Sequence, residues 1–130
     1  MLILMNLKFK NLWNLIGLIQ VLLAFYLCLR ETADMTSTIP HLDKLFHFTA
    51  YALLTFYQIQ VHGVKHSSKI FIVFMIQGIL IEVLQLMTGY RSFELLDMVA
   101  NGSGSIYAIF LCKGFDPRLL NRIEKLALKN

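Results

Sequence analysis

Residues 70–90 read IFIVFMIQGILIEVLQLMTGY, an apolar run interrupted by one acidic residue, Glu82, and by no Lys or Arg. A helix needs about 20 predominantly apolar residues to cross a hydrocarbon core and tolerates few ionised side chains there, so this stretch predicts a membrane span. Working outward, Leu12 to Leu29, Leu45 to Val64 and Met98 to Cys112 carry no Asp, Glu, Lys or Arg at all. The expected architecture is all-α and polytopic: four transmembrane helices, over about residues 12–29, 45–62, 70–88 and 95–112, in an antiparallel bundle, with an amphipathic tail helix over 116–129. No Pro/Gly/Ser linker, repeat or low-complexity tract divides the chain, so residues 1–130 read as one domain.

Composition agrees. The chain is 57% hydrophobic and 15% charged, with a mean hydropathy of +0.62. A water-soluble domain this small would expose large apolar patches. Lys8 and Lys10 precede the first span, but its apolar run exceeds a signal-peptide core and no A-x-A site follows, so it reads as a retained anchor.

Lys and Arg accumulate in short cytoplasmic loops. With both termini inside, the cytoplasmic face takes Lys8, Lys10, Lys65, Lys69, Lys113, Arg118, Arg122, Lys125 and Lys129, and the outside only Arg30, Lys44 and Arg91. The pI near 9.2 reflects this bias and not nucleic-acid binding. Cys28 and Cys112 fall at opposite membrane faces, about 30 Å apart, so no intrachain disulfide is expected.

In the tail, Asp116 is placed as cap and Pro117 as first residue. Leu119, Leu120, Ile123, Leu126 and Ala127 form one face opposite Arg118, Arg122, Lys125 and Lys129, a pattern suited to the anionic inner interface. At the start of the second span, Asp43 stands where an N-cap acceptor is wanted.

Polar residues inside spans are costly and therefore informative. His47, Tyr51, Thr55 and Gln58 recur at helical spacing in the second span; Gly78, Glu82 and Gln85 share a face of the third; Asp97, Asn101, Gly104 and Ala108 line one side of the fourth. Taken singly, glutamines and asparagines here are interhelical glue. Together, Asp43, Lys44, His47, Glu82, Arg91 and Asp97 predict an outward-facing polar pocket, with Lys44 and Arg91 neutralising the acids. A metal reading, with His41, Asp43 and His47 as ligands and Glu82 or Asp97 completing the shell, matches no established zinc spacing, so no metal or other cofactor is expected.

Two blocks carry a resemblance. Asp43-Lys44-Leu45-Phe46-His47-Phe48-Thr49-Ala50-Tyr51 resembles a D-K-x-x-H-F-x-x-Y pattern, and Glu82 to Gln85 with the run Arg91-Ser92-Phe93-Glu94 through Asp97, Asn101 and Gly104 resembles E-x-x-Q followed by R-S-F-[DE]-x-x-D-x-x-A-N-x-x-G. Both are patterns of the VanZ-like family, and the match covers about Pro40 to Ala108. This chain has Gly89-Tyr90 where the family often has Pro-Gly, and Ala108 where it has a final Gly. The resemblance implies a small four-helix membrane protein, related to one associated with low-level resistance to teicoplanin, a glycopeptide carrying a fatty-acyl chain.

Two functions compete at this point. In the first, the pocket recognises an amphiphilic or lipid-linked envelope molecule: Lys44 and Arg91 bind its head group, Tyr51, Gln85 and Asn101 line the site, and membrane lipids are the expected partners. In the second, a membrane enzyme acts on such a molecule, with His47 as general base oriented by Asp43 or Asp97 and Glu82 as acid. Proton movement through Glu82 ranks last, because no ionisable groups continue inward.

Overall fold

The apolar periodicity of the spans resolves into long helices in the computed structural model, which describes residues 7–30, 41–89, 92–115 and 118–129. These are α1 (Lys10–Leu29), α2 (Leu42–His62), α3 (Ser67–Thr88), α4 (Leu95–Gly114) and α5 (Leu119–Ala127), with a 3-10 turn at Val64–His66 between α2 and α3. No strand occurs among the described residues. Arg91, the expected tail caps Asp116 and Pro117, and the stretch 31–40 lie outside them.

The helices cover the expected stretches to within a turn, and the turns between them have identifiable causes. Gly63, at φ 90°, ends α2 and donates its N–H to Ile59 O at 2.8 Å; Gly89, at φ 78°, ends α3 in the left-handed region that glycine enters without steric cost. At the start of α2 the expectation needs correcting. His41, at φ 62°, is the N-cap, and Asp43 lies inside the first turn, where its carboxylate still faces the helix dipole but bonds to Lys44.

The molecule is inverted relative to a soluble domain. Its outer surface carries Leu15, Leu22, Val73, Ile76, Leu96 and Phe110, each more than half exposed, whereas His47, Thr55, Gln77, Glu82, Asp97, Asn101 and Ser105 are buried. Lipid imposes this pattern, because polar groups absent from water must bond to one another while apolar ones have no reason to turn inward. Helix α1, the segment Val64–Thr88 containing α3, and α4 are long and apolar enough to cross a membrane. Helix α2 is equally long but is not among these spans. Its polar stripe faces helices instead of lipid: α2 packs against α1, α3, α4 and α5, most extensively against α4.

That α2–α4 seam is set by small residues. Gly104 lets α4 lie directly on the Phe48 carbonyl of α2; a Cβ there would also stand 3.0 Å from Phe48 C and 3.1 Å from Ala52 N. Ser105 then accepts a hydrogen bond from Thr55 Oγ1 at 2.9 Å, and Ala108 and Cys112 continue the buried edge. The N-terminal turns of α2 and α4 meet at one end, and Gln85 near the end of α3 donates to Cys28 O in the last turn of α1, at 2.8 Å. Neighbours in sequence therefore run antiparallel. Both cysteines are free.

The opposite end is closed by the tail. Leu120 is buried in a cluster with Leu7 and Val61, against Trp13 and Tyr57, and Leu119 N donates to Gln60 Oε1 at 2.9 Å. Glu124 accepts from Lys8 N at 2.7 Å, Phe9 N at 3.0 Å and Trp13 Nε1 at 2.6 Å, so a carboxylate from α5 caps the otherwise uncapped start of α1. The expected apolar face of the tail thus splits: Leu120 turns inward with Glu124, while Leu119, Ile123 and Leu126 remain exposed.

Candidate functional site

The first turns of α2 and α4 and the last turns of α3 deliver their polar residues to one place. Asp43, Lys44 and His47 come from α2, Glu82 from α3, and Glu94, Asp97 and Asn101 from the start of α4. His47, Glu82, Asp97 and Asn101 are all at least 96% buried. Asp43, Lys44 and Glu94 form a partly exposed rim above them. The expectation was an outward-facing polar pocket; among the described residues these side chains form a buried cluster bordered by partly exposed charges.

Within the rim, the Lys44 ammonium contacts Asp43 Oδ2 at 2.5 Å, Asp97 Oδ1 at 3.0 Å and the Glu94 carboxylate. One cation thereby ties α2 to the start of α4. This distributes its charge over three carboxylates and leaves little of it for an anionic head group. Glu82 Oε2 accepts the Glu94 backbone N–H at 3.0 Å, fixing the entry of α4 against α3.

His47 is held on both sides. Nδ1 lies 2.9 Å from Asn101 Oδ1, to which it donates in the tautomer protonated at Nδ1; Nε2 lies 3.4 Å from Asp97 Oδ2. Asp97 thus faces Lys44 with one oxygen and His47 with the other. Asp43, the other group expected to orient His47, pairs with Lys44.

Tyr51, one turn along α2 from His47, is fully buried and stacks edge-on against Phe74, with ring centroids 6.0 Å apart. Its hydroxyl has no hydrogen-bond partner among the described residues. It sits beside Gly78, whose missing side chain makes room for it and for Asn101: a Cβ there would be 3.3 Å from the hydroxyl and 3.0 Å from Asn101 Nδ2. Gln85 serves α1 instead of the cluster, through its bond to Cys28 O.

The metal-competent set also differs from the expected one. His41 is exposed at the helix start, and the residues whose donor atoms all approach within 4.8 Å of one another are His47, Glu82 and Asp97. A second such set, Asp43, Glu94 and Asp97, is the one already bonded to Lys44.

Sequence reading passed over Gln60 and Glu124, which matter at the other end of the bundle. The available signal for Glu124 was that it is the one acid beyond the expected cap Asp116 in an otherwise basic tail, four residues after Leu120 and so on its face.

Compared with known proteins, the chain matches the family model described as VanZ/LLP1 over residues 2–120. No curated protein and no solved structure matches it. The match takes in all four long helices and the whole polar cluster, and three of those helices can span a bilayer. This chain is therefore a multi-pass membrane protein belonging to the VanZ/LLP1 family.

Proposed function

We propose that the protein crosses the bacterial plasma membrane four times, with both termini cytoplasmic, and recognises an amphiphilic or lipid-linked molecule of the cell envelope at the outer end of the bundle. The fourth crossing is α2, whose polar stripe is sheltered by its neighbours. The observation that carries the ligand reading is the border of the rim. Leu45, Phe46, Phe93, Leu95 and Leu96, adjacent in sequence to Lys44 and Glu94, are 45–66% exposed. A molecule with a polar head at the rim could lay an acyl chain on these residues. Family membership supports an envelope role, and altered teicoplanin susceptibility is the phenotype this reading would predict.

Lys44 is engaged by three carboxylates, so the head groups favoured by the described residues are those presenting amines or hydroxyls. Arg91, outside the described residues, is the further cation this reading assigns to an anionic group. At the inner end, Leu119, Ile123 and Leu126 beside exposed Arg118, Arg122, Lys125 and Lys129 suit an anionic leaflet.

Catalysis on such a molecule, with His47 as acid or base, is less well supported, because both ring nitrogens already face protein groups. Mass spectrometry of lipids co-purifying with the wild type and with Arg91→Ala tests the ligand reading. Enrichment of one lipid-linked species over the bulk membrane, reduced in the variant, is expected. Two identical profiles that mirror the bulk membrane would sink it. If His47→Ala abolishes function while enrichment persists, the enzymatic reading gains.

A further inference from the structure

We propose that His47, Glu82 and Asp97 bind a divalent first-row transition cation, which gives the buried half of the site its ligand-binding position. The inference deepens the ligand reading and rests on it for the route of access, over the rim. Three helices each supply one donor, all within 4.8 Å of one another, and all three residues are at least 96% buried.

The orientation of His47 points the same way. With the Nδ1 proton given to Asn101, Nε2 presents a lone pair toward Asp97 Oδ2 at 3.4 Å, so two acceptors face each other in a buried site. Either a proton or a metal ion must lie between them. Metal-binding histidines characteristically donate their second ring N–H to a fixed acceptor, the role Asn101 fills, and ligating carboxylates are themselves anchored, as Asp97 Oδ1 is by Lys44.

A separate observation comes from Tyr51. Its unpartnered, fully buried hydroxyl lies beside Gly78, one turn of α3 before Glu82. From there it can donate to a water or ligand oxygen on the cation.

The donor set selects the class of ion. One imidazole nitrogen and two carboxylate oxygens suit Zn²⁺, Mn²⁺ or Fe²⁺ better than the all-oxygen shells of Ca²⁺ or Mg²⁺. Bonds of about 2.0–2.2 Å place opposite ligands no more than about 4.4 Å apart, so the 4.8 Å set needs to contract by only a few tenths of an ångström. The rim set of Asp43, Glu94 and Asp97 is not the site, because the Lys44 ammonium already occupies its centre.

Mn²⁺ is the probe. The full-length protein, stripped with chelator in lipid nanodiscs, is titrated with Mn²⁺ and followed by electron paramagnetic resonance, with histidine in natural-abundance and ¹⁵N-labelled form. One saturable site with a nitrogen coupling that changes on ¹⁵N-histidine labelling is expected. His47→Ala and Glu82→Gln should weaken binding about tenfold or more, while His62→Ala, at an exposed histidine in the last turn of α2 and so at the opposite end of the bundle, should leave it near wild type.

Absence of saturable binding, binding without histidine coupling, or equal loss in His62→Ala would overturn the proposal. Should a variant not fold, the coupling in the wild type still decides. Lipid enrichment measured on the stripped and reloaded samples separates the two claims. Enrichment with no Mn²⁺ site leaves the ligand reading and removes the cation; a histidine-coupled site with no enrichment does the reverse.

Discussion

Gly104→Ala should be among the most damaging single-methyl changes this protein can undergo, because the new Cβ would meet backbone and not a movable side chain. It would press on the Phe48 carbonyl oxygen, with Phe48 C at 3.0 Å and Ala52 N at 3.1 Å. Restoring ordinary contact requires α2 and α4 to part by more than about 1 Å at this level. Such a shift also stretches the bonds that cross the seam, Thr55 to Ser105 and His47 to Asn101, both 2.9 Å.

Overpacking of this kind costs about 1–3 kcal/mol, and each weakened interhelical hydrogen bond adds about 0.6 kcal/mol. Alanine's better helix propensity returns about 1 kcal/mol. The expected net loss is about 1–3 kcal/mol, or roughly 5- to 150-fold in the unfolding equilibrium. Gly102 in the same helix is the control, since a Cβ there meets only the Met75 sulfur at 3.5 Å, an ordinary contact. Gly102→Ala should be neutral or stabilising by up to about 1 kcal/mol. Unfolding in mixed micelles with rising dodecyl sulfate, followed by far-ultraviolet circular dichroism, measures both. A Gly104→Ala protein as stable as the wild type, or a Gly102→Ala protein that loses as much, would refute the close α2–α4 approach.

Two further expectations concern the tail and the topology. Burial works to raise the Glu124 pKa, but hydrogen bonds from Phe9 N–H, the Trp13 indole and Lys8 N–H outweigh it and hold the carboxyl below its ordinary value of 4.5. Its contribution to tail docking is therefore present above pH 4.5 and is lost as pH falls through the lowered value. Trp13, the single tryptophan, should report that loss as a red shift on acidification. Glu124→Leu should cost about 1–3 kcal/mol and show the shift already at pH 7; unchanged emission in that variant would mean the tail is held by other contacts. For topology, Ser92 and Ser68 are exposed at opposite ends of the bundle. With Cys28 and Cys112 replaced by Ser, an impermeant maleimide applied to intact cells should label Ser92→Cys and spare Ser68→Cys, and the reverse pattern would invert the orientation.

The long helices were legible because apolar length and charge spacing belong to each segment by itself. Helix α2 shows the limit: its stripe of His47, Tyr51 and Thr55 was visible, yet the same polar residues keep it out of the set that composition marks as membrane-spanning. The polar faces of α3 and α4 could likewise be read from helical spacing, and the two motif blocks pointed to the family that the match over residues 2–120 shows.

Partner choice was not legible. Lys44 was available to any of several acids, and only the offset of α4 against α2 assigns it to Asp43, Glu94 and Asp97 together. Of the expected ligands His41, Asp43 and His47 with Glu82 or Asp97, the described residues bring His47, Glu82 and Asp97 together, because His41 and Asp43 lie near His47 in sequence but Glu82 and Asp97 lie near it in space. Glu124 looked like a stray acid in a basic tail until α5 folded back over the start of α1. The sequence by itself determined which faces are polar and which segments suit a bilayer, since both follow from local periodicity and hydropathy. Which polar groups meet depends on the rotation and axial offset of packed helices, quantities set by contacts such as Gly104 on Phe48, and only the tertiary structure decided them.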